Sequence, residues 1–226
     1  MNKNERFFSA PHAYPKYWAH TLVKPSSSIT ERLYTQNLAS QMRIDLYYRE
    51  IIAQDLIYKQ NYHHIMELPK IEKLVINSTS KKFIEDRKNI TPTLFGLEMI
   101  GGQKLKWSTA SKSIAGFKIR QGQTIGCKVT LRKQSLSQFL AKYILVILPR
   151  GSLFTGLTLK SFDKHGNYTL GLNDLLLFPE LETQFELFEN LGGIDLSFVM
   201  CKKNKYENLL LLTALQVPIQ NKGLES

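Results

Sequence analysis

Apolar and polar residues alternate with two different periods along this chain, and each period predicts one kind of element. Residues 42–59 place Ile44, Tyr48 and Ile51 three or four positions apart with charged residues between them. This spacing predicts an amphipathic helix. Residues 71–77 first alternate and then become apolar, a pattern typical of a strand.

Start and stop signals indicate three more helices. The pair Thr91-Pro92 offers an N-cap and a proline at the first helical position, and Gly101-Gly102 offers a stop. Ser135 is expected to cap a second, strongly apolar helix that Pro149 ends. Residues 205–216 predict a third helix at the end of the chain.

Four further segments predict strands, and their connections indicate the fold class. They are residues 104–108, 125–132, 166–172 and 193–200, where apolar and polar positions alternate or strand-forming residues lie between turn residues. The connections are short and suit hairpins rather than the long crossovers of parallel sheets. We therefore expect an α+β fold of two layers, a mostly antiparallel sheet with helices packed on one face.

The first 40 residues follow neither period. Pro11, Pro15, Pro25 and a run of three serines interrupt any pattern, which is typical of an extended arm. We expect an N-terminal extension over residues 1–40, an α+β domain over residues 41–220 and a C-terminal tail over residues 221–226. An arm without its own core is expected to be held by RNA or by a neighbouring protein.

The positive charge of the chain is concentrated in one segment. The 226 residues include 30 Lys and Arg against 19 Asp and Glu, a net charge of +11. The 64 residues between Glu98 and Asp163 contain eleven bases and no acid, which accounts for the whole net charge. Solvated surfaces usually mix both signs, so this acid-free segment, residues 99–162, indicates a polyanion as partner. Nucleic acid is favoured, and an acidic membrane surface or an ordinary basic surface are the alternatives.

Two parts of the acid-free segment have side chains suited to RNA. The polar face of strand 125–132 presents Lys128, Thr130 and Arg132 about 7 Å apart, because each residue of a strand rises ~3.3 Å. Such a row can follow a phosphate backbone. The loop 111–122 carries Phe117 among bases and glycines, and an exposed ring can stack on a nucleobase. The alternatives are an ordinary half-exposed strand and a hairpin tip whose Phe117 returns to the core.

The sequence contains few signals for catalysis, metals or membranes. No Walker loop, dinucleotide fingerprint or nucleophile elbow occurs, and Cys127 and Cys201 are expected in the core. The longest apolar run, residues 143–148, is far shorter than the roughly 20 residues of a membrane-spanning helix. We expect no cofactor, no metal site, no membrane partner and no enzyme activity.

One enzymatic alternative depends on three residues. Gly101-Gly102-Gln103 repeats the tripeptide with which translation release factors hydrolyse peptidyl-tRNA. A peptidyl-tRNA hydrolase or release-type factor would need Gln103 on a mobile, exposed tip. The same glycines are expected at the end of a helix, and we favour that interpretation.

A set of motifs along residues 42–218 points to one family. The central block consists of Gly102-Gln103-Lys104, residues 112–122 and residues 125–132. Further motifs are residues 69–73 with Asn77, residues 148–150, 160–163, 166–168, 178–180 and 193–196. Together they resemble the ribosomal protein L5 family, whose members bind 5S rRNA in the large subunit.

The resemblance implies a structural component of the large ribosomal subunit, seated in the central protuberance beside large-subunit rRNA and neighbouring large-subunit proteins. It implies that the sheet binds 5S rRNA, and that a loop reaches the P-site tRNA and the small-subunit protein S-thirteen at an intersubunit bridge. The residues expected at 5S rRNA are Asn77, Gln103, Lys104, Lys128, Thr130 and Arg132. The residues expected in the tRNA and bridge loop are Lys112, Ser113, Gly116, Phe117, Lys118, Arg120, Gln121 and Gly122.

Several segments of the sequence favour a mitochondrial location. The 40-residue arm and the ending rich in Asn, Ile and Leu are unlike bacterial members of the family, and residues 181–189 resemble mitochondrial members in particular. The N-terminal residues lack the Arg-rich, acid-poor composition of a transit peptide, so synthesis inside the organelle is a hypothesis. We expect a ribosome of the mitochondrial matrix, with a plastid or a bacterial cytoplasm as alternatives.

Overall fold

The computed structural model describes residues 44–80, 82–85, 88, 90–151, 157–188 and 191–220. The expected N-terminal arm and the tail 221–226 lie outside these residues. The described part of the chain begins with helix α1, which consists of Ile44–Tyr47, a π-helical turn Tyr48–Ile52, and Ala53–Gln60. This confirms the first predicted helix.

Five antiparallel strands form the main sheet. They are β1 (Ile71–Thr79), β2 (Lys106–Thr109), β3 (Thr124–Leu131), β5 (Tyr168–Leu172) and β6 (Ile194–Met200). Their order across the sheet is β2-β3-β1-β6-β5, and every neighbouring pair is antiparallel. Two short strands, β4 (Leu157–Thr158) and β7 (Ile219–Gln220), form a separate parallel pair.

The remaining described helices connect and cover these strands. They are α2 (Lys82–Glu85), α3 (Ile90–Gly101), α4 (Lys133–Lys142, continued by a π-helical turn Tyr143–Ile147 and by Leu148–Arg150), α5 (Pro179–Glu182), α6 (Phe185–Phe188) and α7 (Lys205–Ala214). Short 3-10 turns occur at Ile65–Glu67, Ala115–Phe117 and Leu159–Ser161.

One face of the sheet is buried under helices. Its side chains alternate along each strand with those of the opposite face. The buried side chains of this face in the three central strands are Leu74, Ile76, Ser78, Cys127, Val129, Leu131, Ile194, Leu196, Phe198 and Met200. Helix α3 packs against β3, α4 packs against β1, and α1 packs against α4. The architecture is the expected α+β fold with helices on one face of a mostly antiparallel sheet.

Two polar contacts fix α1 on this layer. The Ser137 hydroxyl donates to Asp45 Oδ1 at 2.6 Å, which joins α4 to α1. The Tyr48 hydroxyl donates to the Pro69 carbonyl oxygen at 2.9 Å, which joins α1 to the segment that leads into β1. Buried polar groups are stabilising when they are paired in this way.

Three predicted helix boundaries are wrong. Helix α3 begins at Ile90, so Thr91 is inside its first turn and is not the N-cap. Helix α4 begins at Lys133 and continues to Arg150, so Ser135 is not its cap and Pro149 does not end it. Pro149 follows the π-helical turn at the point where the hydrogen-bond register changes, and there a missing N–H disturbs the helix least.

Candidate nucleic-acid interface

The face of the sheet opposite the buried one is polar, and we call it the open face. Strand register assigns its residues, because a residue and its cross-strand partner share a face. They are Lys106 and Ser108 on β2, Lys128 and Thr130 on β3, Lys73, Val75 and Asn77 on β1, Asp195, Ser197 and Val199 on β6, and Thr169 and Gly171 on β5. All of them are exposed or half-buried.

One row of this face crosses all five strands. Lys106 lies opposite Lys128, Lys128 opposite Asn77, Asn77 opposite Asp195, and Asp195 opposite Gly171. We call these five residues the central row. Its β2–β3 side is cationic, its middle is an amide, and its β6 side carries one carboxylate.

The two lysines of the central row are directly opposed and have the same charge. Such pairs are destabilising in a sheet, since opposing Cβ atoms are only ~5 Å apart. Among the described residues no acidic side chain forms an ion pair with either lysine. An anion bound over β2 and β3 would remove this repulsion.

The residues expected at 5S rRNA do not all lie together. Asn77, Lys128 and Thr130 share the open face, as their alternation predicts. Arg132 lies after the end of β3, where it precedes α4, and its Nη1 is 3.5 Å from Glu72 Oε1. Lys104 is exposed between α3 and β2. These two bases therefore flank the open face.

Gln103 has a defined structural role. Its side-chain amide donates to the Thr130 carbonyl oxygen at 2.9 Å, on the edge of β3 beyond the end of β2. Gly101 ends α3, and Gly102 has φ +64° while its N–H donates to Glu98 O at 2.9 Å. A left-handed glycine in this position is a common helix C-cap. The tripeptide thus ends a helix and joins it to β3, an arrangement that does not resemble a mobile tip.

The loop between β2 and β3, residues 110–123, is held by its own backbone. Ala110 and Gln123 pair at its base, and Ile114 and Ile119 exchange two hydrogen bonds of 3.0 and 3.1 Å near its tip. The Gln121 N–H donates to Ser113 Oγ at 2.9 Å. The Gln123 amide donates to the Ile84 carbonyl oxygen at 3.1 Å, which anchors the loop to α2.

This anchored loop presents the residues expected for tRNA and bridge contact. Phe117 is 66% exposed, so its ring does not return to the core. Lys118 has φ +56° and follows the 3-10 turn that carries Phe117. An open hollow beside them is lined by Lys118, Arg120, Gln121, Gly122 and Gln123. Lys112, Ser113 and Gly116 are exposed on the same loop.

Sequence reasoning missed Lys106 and Asp195. Both belong to predicted strands, and alternation alone gives each a face relative to its own strand. What it cannot give is the register, which places Lys106 against Lys128 and Asp195 against Asn77. Register depends on long-range pairing and becomes visible only in the fold.

The remaining chemistry is sparse. Burial raises the pKa of the Cys127 thiol to about 11, so this residue is a core side chain as expected. Cys201 is exposed, and its predicted core position is wrong. Within the described ranges, no three His, Cys, Asp or Glu side chains are grouped for a metal ion. No helix among the same residues has the length and apolar character needed to cross a membrane.

Comparisons with known proteins match most of the described part of the chain. Residues 64–120 match the family described as ribosomal protein L5, and residues 124–219 match the model of the C-terminus of the same ribosomal family. The chain is similar to the large ribosomal subunit protein uL5m of Reclinomonas americana, at 39% identity over 180 residues, which is 80% of this chain and 99% of that relative.

Bacterial relatives are equally similar. The large ribosomal subunit protein uL5 of Geotalea daltonii is 40% identical over 177 residues, which is 78% of this chain and 97% of the relative. That of Blochmanniella floridana is 38% identical over 175 residues, or 77% and 91%. The family models therefore match residues 64–120 and 124–219, and the relatives do not separate a mitochondrial from a bacterial origin.

Proposed function

Because the chain belongs to the ribosomal protein L5 family, and so to the structural proteins of the large ribosomal subunit, we propose that it binds 5S rRNA through its open face. The observation that supports this most directly is the opposed pair Lys106 and Lys128 beside Asn77. Two like charges without an acidic partner in the described residues are stabilised by a polyanion.

The mechanism is phosphate contact on a rigid surface. Lys106 and Lys128 are on strands whose backbone is fixed by pairing, so little backbone freedom is lost when RNA binds, and the remaining entropy cost is that of ordering the two side chains. Asn77 offers both donors and acceptors to a base or ribose. The contact is extended by Thr130, whose carbonyl oxygen accepts a hydrogen bond from Gln103. The flanking bases Lys104 and Arg132 extend it further. Contacts of this kind position the RNA and carry little base specificity.

The test is the affinity of the purified chain for cognate 5S rRNA and for a size-matched control RNA across a salt series. We expect tighter binding to 5S rRNA that persists at moderate salt. Lys128→Ala should weaken it about tenfold and lower the slope of log affinity against log salt by roughly 0.7 to 0.9. Lys164→Ala, an exposed lysine in the turn before β5, is the charge-matched control. Equal binding to both RNAs, or an unchanged slope in Lys128→Ala, would contradict the proposal.

We propose further that the 110–123 loop contacts the elbow of the P-site tRNA and the small-subunit protein S-thirteen. Its backbone hydrogen bonds hold Phe117 outward, and its bases are free of acidic neighbours in sequence. Phe117→Ala should reduce association of large subunits carrying the variant with small subunits and tRNA, while 5S rRNA content stays normal. Loss of 5S rRNA from these subunits, or normal association, would speak against this role.

The ribosome in question is proposed to be mitochondrial, with plastid and bacterial ribosomes as the alternatives. The resemblance of residues 181–189 to mitochondrial members of the family supports this assignment. We also propose the N-terminal extension over residues 1–40 and the C-terminal tail over residues 221–226 as separate parts of the chain. Recovery of the chain in large subunits from isolated mitochondria would support it. A catalytic role is not proposed, since Gln103 is engaged with the β3 backbone.

A further inference from the structure

One acidic side chain lies in the middle of a surface that is otherwise suited to an anion. Asp195 is the single acid among the residues of the open face defined above, and it belongs to the central row with Lys128 and Asn77. It is exposed. Within the described part of the chain, its carboxylate takes part in no hydrogen bond and no ion pair.

The chemistry of RNA restricts what can lie against this carboxylate. An ionised carboxylate only accepts hydrogen bonds. Phosphate oxygens also only accept, and they carry negative charge, so a phosphate over Asp195 would be repelled. The donors that RNA offers are the ribose 2′-OH and the N–H groups of the bases. An RNA strand on the open face therefore meets Asp195 favourably only through one of these donors.

The geometry of the row separates the two kinds of contact. Strands are spaced about 4.8 Å apart, so Lys128 on β3 and Asp195 on β6 are roughly 10 Å apart with Asn77 between them. The backbone phosphates can lie over β2 and β3, while riboses or base edges lie over β6. The central row is therefore cationic at its β2–β3 side and offers a hydrogen-bond acceptor at its β6 side.

The neighbour of Asp195 on β5 leaves room for such a group. Gly171 lies opposite Asp195 and is exposed. A Cβ at that position would be 3.7 Å from Asp195 Oδ1, which is ordinary van der Waals contact. Because glycine has no side chain, one side of the carboxylate is uncovered and a ribose or a flat base edge can approach it.

We propose that Asp195 is an RNA-contacting residue that accepts a hydrogen bond from a 2′-OH or a base N–H, and that it fixes the orientation of the RNA on the open face. This inference rests on the proposed 5S rRNA binding. It assigns the negative charge a role opposite to the usual one, since an acid on an RNA-binding surface is otherwise expected to weaken binding.

The sign of a substitution effect tests the proposal. Asp195→Ala removes the acceptor, and we expect 5S rRNA affinity to fall about tenfold without a lower salt slope, in contrast to Lys128→Ala. Asp195→Asn keeps one acceptor oxygen, so its 5S rRNA affinity should fall less. If Asp195 only repels RNA, both variants will bind more tightly, and if it lies outside the contact, neither will change. Either of these results overturns the proposal.

A second variant leaves the charge in place. Gly171→Val fills the space beside the carboxylate with a residue that strands accept readily, so the fold should persist. We expect several-fold weaker 5S rRNA binding with an unchanged salt slope. The midpoint temperature of thermal unfolding is measured for the free variant. A midpoint equal to or above that of the parent chain shows that the lost affinity is not due to misfolding. Unchanged affinity would contradict an RNA group in this space.

Modified RNA identifies which donor is used. In modification interference, 2′-deoxy substitution at the contacted nucleotide weakens binding if the ribose donates, whereas a base analogue without its amino or imino hydrogen does so if the base donates. Either signal should disappear in Asp195→Ala. A parent chain that fails to prefer 5S rRNA overturns the proposed function and this inference together. A preference that the Asp195 variants leave intact overturns this inference alone.

Discussion

At the scale of single residues, Gly126 decides how closely two central strands can approach. It lies on β3 opposite Thr79 of β1. A Cβ placed on Gly126 would come closer than 3.0 Å to the Ser78 carbonyl oxygen and to Thr79 Cγ2. One of these atoms is backbone in a paired strand, so it cannot move without disturbing the ladder that carries Asn77 and Lys128.

We expect Gly126→Ala to lower the free energy of unfolding by about 1–3 kcal/mol, the usual range for overpacking a well-packed site. The measurement is urea denaturation of the free protein. Gly116→Ala is the matched control, because a Cβ at Gly116 meets no atom within 4 Å, and its stability should change by less than about 0.5 kcal/mol. Equal stability of both variants would show that β1 and β3 can separate without loss.

The residues of the interface were only partly predictable, for reasons that differ from one residue to the next. Alternation along β3 was enough to assign Lys128 and Thr130 to one face, and the structure confirms this placement. The same alternation included Arg132, but the chain leaves the strand at Leu131 and Arg132 turns to Glu72. The bond from Gln103 to the Thr130 carbonyl joins residues 27 positions apart, which no local pattern can reveal.

At the scale of elements, the strands were predicted better than the helix ends. A period of two is a strong signal over seven or eight residues, so β3 and β6 are found within one residue of the expected bounds. Helix ends depend on caps and prolines, and here tertiary packing overrides them. Helix α4 continues through Pro149 because a π-helical turn precedes it and buries Tyr143, Val146 and Ile147.

The β2–β3 loop is an element whose order could not be foreseen. Its composition of Gly, Ser and Lys is typical of a flexible tip. In the structure, reciprocal backbone bonds and the Gln123 contact with α2 fix it. Local turns combine with one distant carbonyl, Ile84 O, to fix the loop, and Phe117 is exposed on it.

At the scale of the whole molecule, the charge distribution opposes folding in the absence of a partner. The net charge of +11 resides in the acid-free segment, which supplies β2, β3 and α4. Concentrated charge of one sign destabilises the compact state through self-repulsion. The face that is proposed to bind RNA is therefore expected to be a weak point of the free protein.

This conflict predicts that one substitution will have opposite effects on stability and on binding. Lys128→Gln removes the repulsion with Lys106, so the free protein should become more stable by roughly 0.2–1 kcal/mol at low salt, while its affinity for 5S rRNA falls. Added salt should stabilise the parent chain and abolish the difference, since the Debye length shrinks to about 3 Å at 1 M. Urea midpoints at low and high salt measure the stability, and titration with 5S rRNA measures the affinity. Lys164→Gln should change neither. A less stable Lys128→Gln at low salt would mean that the lysine pair is not strained, and would remove the main electrostatic support for a polyanion on the open face.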